Sequence, residues 1–345
     1  MVPLLSISEL RAAAQGGRTA ARVHGQIYSL LQKETQQRKP YWELILADAE
    51  TRFVLRAWND SPNFKLCAEF AQGAFLEITG EFETSPAYGL DAKTWACRAL
   101  DADEIESLLA GPASLREKQA RDYQFIEEAV SGIADPRLEA ICAMFLAELG
   151  ERFRRTAGAR SNHHARRGGL VEHVAQMMRA AEAICGAYPI LNRDLMRAGV
   201  LLHDSGKLWE NALPPDGFVM PYDERGEMMG HISIGMELTN RLWRQLAERQ
   251  EYEEWKKMKP GIEDLRLHLS HLILSHHGEL QYGSPVLPKT PEAFALHYID
   301  NLDAKMEMLA AAYRNAGLLA PRIYEKAWPL PTNLFAPLPP WSPPS

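Results

Sequence analysis

Eleven histidines are spread through the 345 residues of the chain, and ten of them fall after residue 160. Several stand where helical spacing would bury them. In GGLVEHVAQMMRAAEAIC, Leu170, Val174, Met177, Ala181 and Ile184 trace one apolar stripe, and His173 lies on that same side. NRDLMRAGVLLHDSGK is apolar up to Leu202, then sets His203 and Asp204 side by side before Gly206 breaks the helix. His231 follows Met228 and Met229 and precedes Ile234 and Leu238, again at helical spacing. His276 continues the face of Leu265, Leu269 and Leu272, with His277 and the helix-ending Gly278 directly after it. Asp300 shares a face with Ala293, Leu296 and Ala304, on a helix that Thr290 would cap and Pro291 would open.

A buried carboxylate or imidazole is costly unless it is paired, hydrogen-bonded or bound to a cation. Imidazole and carboxylate together suit Mn, Fe, Co, Ni or Zn better than Ca, which prefers oxygen alone. Seven groups, His173, His203, Asp204, His231, His276, His277 and Asp300, are too many for one ion and about right for two, with Asp204 the natural bridge. Two such ions can activate a water and stabilise the leaving oxygen in phosphodiester hydrolysis. Any one of these histidines alone is more often a satisfied core residue than a ligand. The joint pattern, with two helical aspartates among several interior histidines, points to metal. His24, His268, His271 and His297 are left to surface, strand or capping roles.

Positioning these groups falls to a helical region that begins at Pro112 and continues to about Ala316, interrupted at 211–226 and 282–291. Upstream, from Gly17 to Leu100, the pattern is strand-like: ARVHGQIYSL, YWELILAD, RFVLRAW, AFLEITGEF and LDAKTWACRAL, separated by turn residues. In YWELILAD, Trp42, Leu44 and Leu46 face a core while Tyr41, Glu43 and Ile45 share the other side. Five short strands predict a small OB-like barrel, with an SH3-like barrel or another small β-domain as the alternatives that give similar strings. The fold class is therefore multidomain α and β: a barrel over 1–104, a helical linker over 105–160, an all-α domain over 161–322 and a proline-rich tail over 323–345, extended or disordered.

Composition sets the outer limits. With 46% hydrophobic and 24% charged residues the chain is globular, and the absence of a long apolar run predicts a cytoplasmic protein with no membrane partner. Cys67, Cys97, Cys142 and Cys185 are too dispersed for a disulfide framework or a thiolate zinc site. The net charge of −7 argues against indiscriminate nucleic-acid coating. Yet Arg152, Arg154, Arg155, Arg160, Arg166 and Arg167 form a run with no acid among them, placed for phosphate contact just upstream of the histidines.

The order His173, the pair His203-Asp204 in HDSGK, then Asp300 resembles the HD phosphohydrolase superfamily. That resemblance implies an all-helical domain with these four groups around one metal, and His231, His276 and His277 as the second-metal set of dinuclear members. The strings NHHARRGGLVEHV, GHISIG, LSHHGELQYGSP and LHYIDNLDAKM resemble the YhaM-type exoribonucleases over about residues 162–306, and that family's N-terminal OB-fold agrees with the strand reading. The resemblance implies manganese-dependent removal of nucleotides from the 3′ ends of single-stranded RNA, with single-stranded DNA also accepted by some members, and a homo-oligomer. Asp204 and Lys207 then become the catalytic pair, Lys207 stabilising charge on the phosphate, with a helix-terminal cation as its bland alternative. Arg160, Asn162, His163, His164, Arg166, Arg167 and Asp303 become candidate substrate contacts, and Tyr28, Tyr41, Trp58 and Tyr88 candidate base-stacking aromatics. Three other readings stand beside it: an HD-type hydrolase of small or cyclic nucleotides, a di-iron HD oxygenase, and a nucleic-acid adaptor whose metal only stabilises the fold.

Overall fold

A computed structural model describes residues 2–85, 89–161 and 163–340. The chain opens with a helix, α1 (Ile7–Ala14), set by a capping box in which Ser6 and Glu9 exchange side-chain and backbone hydrogen bonds. Five strands follow: β1 (Thr19–Glu34), β2 (Pro40–Ala47), β3 (Arg52–Trp58), β4 (Phe75–Ser85) and β5 (Gly89–Ala99), with a short helix, α2 (Asn63–Cys67), between β3 and β4. All neighbours are antiparallel in the order β3-β2-β1-β4-β5. The sheet curls until its edges meet, the Trp95 indole N–H reaching the Arg56 carbonyl at 3.4 Å. This is the small, partly open five-stranded barrel expected of an OB-like domain.

Strand alternation explains the barrel core. Val23, Ile27, Leu44, Leu46, Leu55, Ile78 and Phe82 point inward and are buried, joined by Ile7 and Leu10 of α1. Each fully buried Leu or Ile contributes about 1.5–3 kcal/mol, so the alternation fixes which face turns inward.

The helices are α3 (Ala102–Ala110), α4 (Ala113–Ser131), α5 (Pro136–Arg155), α6 (Gly169–Ala187), α7 (Arg193–Leu202), α8 (Lys207–Glu210), α9 (Glu224–Ala247), α10 (Tyr252–Trp255), α11 (Ile262–Ser275) and α12 (Pro291–Asn315). From α4 onward they share one core, in which Ile126, Leu138, Phe145, Val174, Leu202, Leu242, Leu272 and Leu296 are buried. The segment between α8 and α9 reaches back to the barrel. Phe218 is buried with Ala47 and Ala49, and its N–H donates to Gln26 Oε1 at 2.6 Å. Among the described residues no helix is long and apolar enough to cross a membrane.

Two features differ from the sequence-based expectation. The helix carrying His231 is kinked at Gly230 (φ 70°, ψ 158°), so Met228 and Met229 lie outside its apolar face and are exposed. Residues 318–320, expected within the all-α domain, form a strand instead, β6 (Leu318–Ala320), which pairs with β7 (Ile323–Tyr324) and through it with β8 (Leu334–Phe335), two short extended pieces of the proline-rich tail whose non-proline positions keep N–H groups for pairing.

Candidate metal centre

Five helices bring side chains together around Asp204. His173 comes from the second turn of α6, His203 ends α7 immediately before Asp204, and His231 begins the straight part of α9 beyond its kink. His276 ends α11, followed by His277, and α12 supplies Asp300. Two glycines permit the approach. A Cβ on Gly206 would lie 1.9 Å from the His231 carbonyl oxygen, so only glycine lets α9 close over the turn after Asp204. Gly278 (φ +75°) reverses the chain after His277, where a Cβ would overlap the His297 ring.

The two oxygens of Asp204 face different histidines. Oδ2 lies 3.5 Å from His173 Nε2 and 3.3 Å from His203 Nε2. Oδ1 lies 3.5 Å from His231 Nε2 and 3.6 Å from His276 Nε2. Asp300 Oδ1 adds to the first group at 3.3 Å from His173 Nε2, and His277 stands beside His231 and His276 in the second. The structure thus brings together all seven groups expected from the sequence as metal ligands.

Whether this constellation fits a metal is decided by its unpartnered atoms. Nε2 of His173, His203, His231 and His276 and Oδ1 of Asp204 are buried without a hydrogen bond, while Asp204 Oδ2 meets the Lys207 ammonium. Orphaned polar atoms of this kind are expensive. The opposite ring nitrogen is engaged in every case. Nδ1 of His203 meets the Val200 carbonyl at 2.9 Å, that of His276 the Ile273 carbonyl at 2.7 Å, and that of His277 the Tyr282 carbonyl at 2.7 Å. His173 Nδ1 lies 2.7 Å from Asp303 Oδ2, and His231 Nδ1 lies 2.7 Å from Glu210 Oε2. A ring whose Nδ1–H is given to an oxygen keeps Nε2 as a free lone pair, the tautomer a metal requires. The donor set fits divalent transition-metal ions.

The electrostatics agree. Burial pushes His276 and His277 down, the latter to about 4, which keeps them neutral. Burial also disfavours charge on Asp204, but the Lys207 ammonium, 2.7 Å from Oδ2, and the surrounding imidazoles hold its carboxyl well below the usual range. At His173 burial is outweighed by Asp204, Asp300 and Asp303, whose combined negative field favours a positive charge at that ring. The same field favours a cation at Nε2.

The other expected contacts occupy varied places. His163 lies beside the site, its ring 6.3 Å from that of His173, and burial followed by Lys207 pushes it down to about 4. His164, at φ +46°, sits behind the site with Nε2 2.8 Å from Asp303 Oδ2. Arg166 is engaged by Glu172 and Glu307, and Arg167 by the carbonyls of Pro214 and Pro215. Arg160 holds the carbonyls of Glu210 and Pro221. Of the rest of that basic run, Arg152 bonds the Leu208 carbonyl and Arg154 stacks on Tyr123. Asn162 and Tyr88 lie outside the described residues. On the barrel, Tyr41 and Trp58 are cross-strand neighbours with ring centroids 4.9 Å apart, and Tyr28 is covered by Arg52.

Two supporting residues escaped the sequence reading. Glu210 is three positions past Lys207 and offered no periodic signal, and His297, set aside as a capping residue, fixes the His276 carbonyl at 3.0 Å through Nδ1. A second acidic cluster, His24, Glu77 and Glu104, is bound instead by Arg22 and Arg98 and serves as an ion-pair network on the barrel.

Residues 170–305 match the HD domain. Over 291 residues the chain is 31% identical to the 3′-5′ exoribonuclease YhaM of Geobacillus sp. (strain WCH70), an alignment covering 83% of each. Solved structures with local likeness include the OB domain of Ta0387 from Thermoplasma acidophilum, at 12% identity over 29% of this chain and 89% of that one, TM-score 0.21. RecG bound to a three-way DNA junction aligns at 13% identity over 53% of this chain and 31% of that one, TM-score 0.24. At such scores the barrel stands on its own strand order.

Proposed function

Because the chain belongs to the family of the YhaM 3′-to-5′ exoribonucleases and carries an HD phosphohydrolase domain, we propose that it shortens single-stranded RNA from the 3′ end, releasing nucleoside 5′-monophosphates. It is a hydrolytic enzyme. The observation that best supports the two-ion form of this reading is the division of Asp204, each oxygen facing its own pair of histidine Nε2 atoms. His173, His203, Asp204 and Asp300 would hold one ion, and Asp204, His231, His276 and His277 the other. Manganese is the first candidate, with iron, cobalt, nickel and zinc behind it. When bound, such ions make water nucleophilic at neutral pH and polarise the phosphodiester.

The chain's own groups do the rest. Lys207 carries an ammonium next to the Asp204 carboxylate, where it would meet a non-bridging phosphate oxygen as charge grows on the phosphate. His163, neutral and beside His173, would hydrogen-bond the terminal nucleotide. The Tyr41–Trp58 pair offers a stacking surface without sequence preference, which would admit single-stranded DNA as well. Arg160, Arg166 and Arg167 support this site by holding carbonyls and carboxylates around it, leaving less of their charge for phosphate. A cytoplasmic homo-oligomer completes the reading. The oligomer is supported by the stripe of exposed Phe294, Tyr298, Leu302 and Met306 along α12.

Chromatography of the products tests the proposal. Nucleoside 5′-monophosphates as the principal early product from a single-stranded RNA support it, whereas internal fragments, or turnover of free nucleotides only, would overturn it.

A further inference from the structure

Histidines at the centre divide by where their supporting oxygen comes from. His203 and His276 end their helices, where the last carbonyls are free, and each uses the carbonyl three residues back. His173 lies within α6, whose carbonyls are committed, and takes a carboxylate from α12 instead. His231 is the unusual member. It starts a helical segment just after the kink at Gly230, so no carbonyl of the preceding turn reaches it. Glu210 supplies what the helix lacks, with Oε2 2.7 Å from Nδ1.

Glu210 is itself braced. Its carbonyl accepts from Arg160 at 3.2 Å, and the same guanidinium holds the Pro221 carbonyl at 2.7 Å and lies over the Tyr222 ring. The first turn of α9 presses on it, since a Cβ on Gly226 would lie 3.0 Å from Glu210 Cα.

We propose that Glu210 is the positioning residue for the half of the centre on the Oδ1 side of Asp204, fixing the tautomer and aim of His231 and thereby the affinity of that half for its ion. This rests on the two-ion reading above. Its effect is confined to one ion, because the Oδ2 half takes its supporting carboxylate from Asp303.

The test is calorimetric titration of the metal-stripped full chain with Mn2+. Wild type is expected to take up two equivalents. Glu210→Ala should keep one at wild-type affinity and weaken the other about ten- to a hundredfold. Glu210→Gln, whose amide oxygen still accepts from Nδ1–H, should fall between, and it carries the test if the alanine variant does not fold. Two equivalents at wild-type affinity in both variants, or an equal weakening of both ions, would overturn the inference while leaving the two-ion reading intact. A single equivalent in wild type would overturn that reading and this inference with it.

Discussion

Asp303 accepts from His173 through one carboxylate oxygen, Oδ2, 2.7 Å from Nδ1, and the same oxygen lies 2.8 Å from His164 Nε2. One buried atom thus joins the α6 ligand to the 163–164 loop. Burial opposes charge on Asp303, but these two imidazoles hold its carboxyl far below the ordinary range, so it is ionised wherever the enzyme works.

Replacing it should therefore act through the metal. Asp303→Asn is expected to lower Mn2+ affinity about ten- to a hundredfold while changing the KM for RNA little once metal is saturating. Calorimetry paired with steady-state kinetics checks this. A large rise in KM at full metal occupancy would instead make Asp303 a substrate contact.

Lys207 makes the opposite pattern. With its ammonium 2.7 Å from Asp204 Oδ2 but no place among the donor atoms, Lys207→Met should leave metal stoichiometry at the wild-type value and cut kcat by about a hundred- to a thousandfold, the usual cost of losing one transition-state charge partner. Metal analysis alongside single-turnover rates decides it; unchanged kcat would reduce Lys207 to a counter-ion of Asp204.

Much of this site was legible in the sequence because burial and chemistry coincide there. His173, His203, His276 and Asp300 interrupt apolar stripes at helical spacing, and such interruptions need a partner. The barrel strands were legible for the same reason with a period of two. What could not be read was the oxygen behind each ring. Glu210 and Asp303 lie 21 and 130 positions from the histidines they support, and only the fold pairs them. The arginine run misleads in a similar way, since a string of cations does not reveal that Arg166 ends between Glu172 and Glu307, or that Arg167 ends on proline carbonyls. The capping box at Ser6 and Glu9 was a usable signal for α1 that eight short, alanine-rich residues made easy to pass over.

On the barrel, Arg98 and then the Asp101 backbone N–H hold Glu104 down to about 2, and Glu77 is lowered as well, its bonds to His24 and Arg98 outweighing burial. Folded-state values below the ordinary 4.5 mean that these carboxylates stabilise the barrel above that pH, and that the contribution fades as pH falls from about 4.5 toward 2. Hydrogen-exchange protection of β1, β4 and β5 amides, corrected for the intrinsic exchange rate at each pH, should fall across that window in wild type. Arg98→Ala should flatten this dependence, and an equally steep one in the variant would contradict the assignment.

Gly206→Ala should be among the most damaging small substitutions, because the added methyl would stand 1.9 Å from the His231 carbonyl oxygen and 2.8 Å from the Gly235 nitrogen. Backbone atoms cannot yield as a side-chain tip can, so a loss of about 3 kcal/mol or more is expected in denaturant unfolding, together with loss of Mn2+ binding. Gly186→Ala, where the added carbon meets nothing within 4 Å, is the control.

The central claim, a metal-dependent exonuclease working from the 3′ end, is tested most directly with metal-stripped protein, with and without Mn2+, on 5′-labelled single-stranded RNA and its 3′-blocked counterpart. The expected result is a Mn2+-dependent ladder that shortens from the 3′ end, stalls at the block and is absent from the His203→Ala/Asp204→Ala variant. Intact RNA at full metal occupancy, or an identical pattern from the blocked substrate, would contradict it.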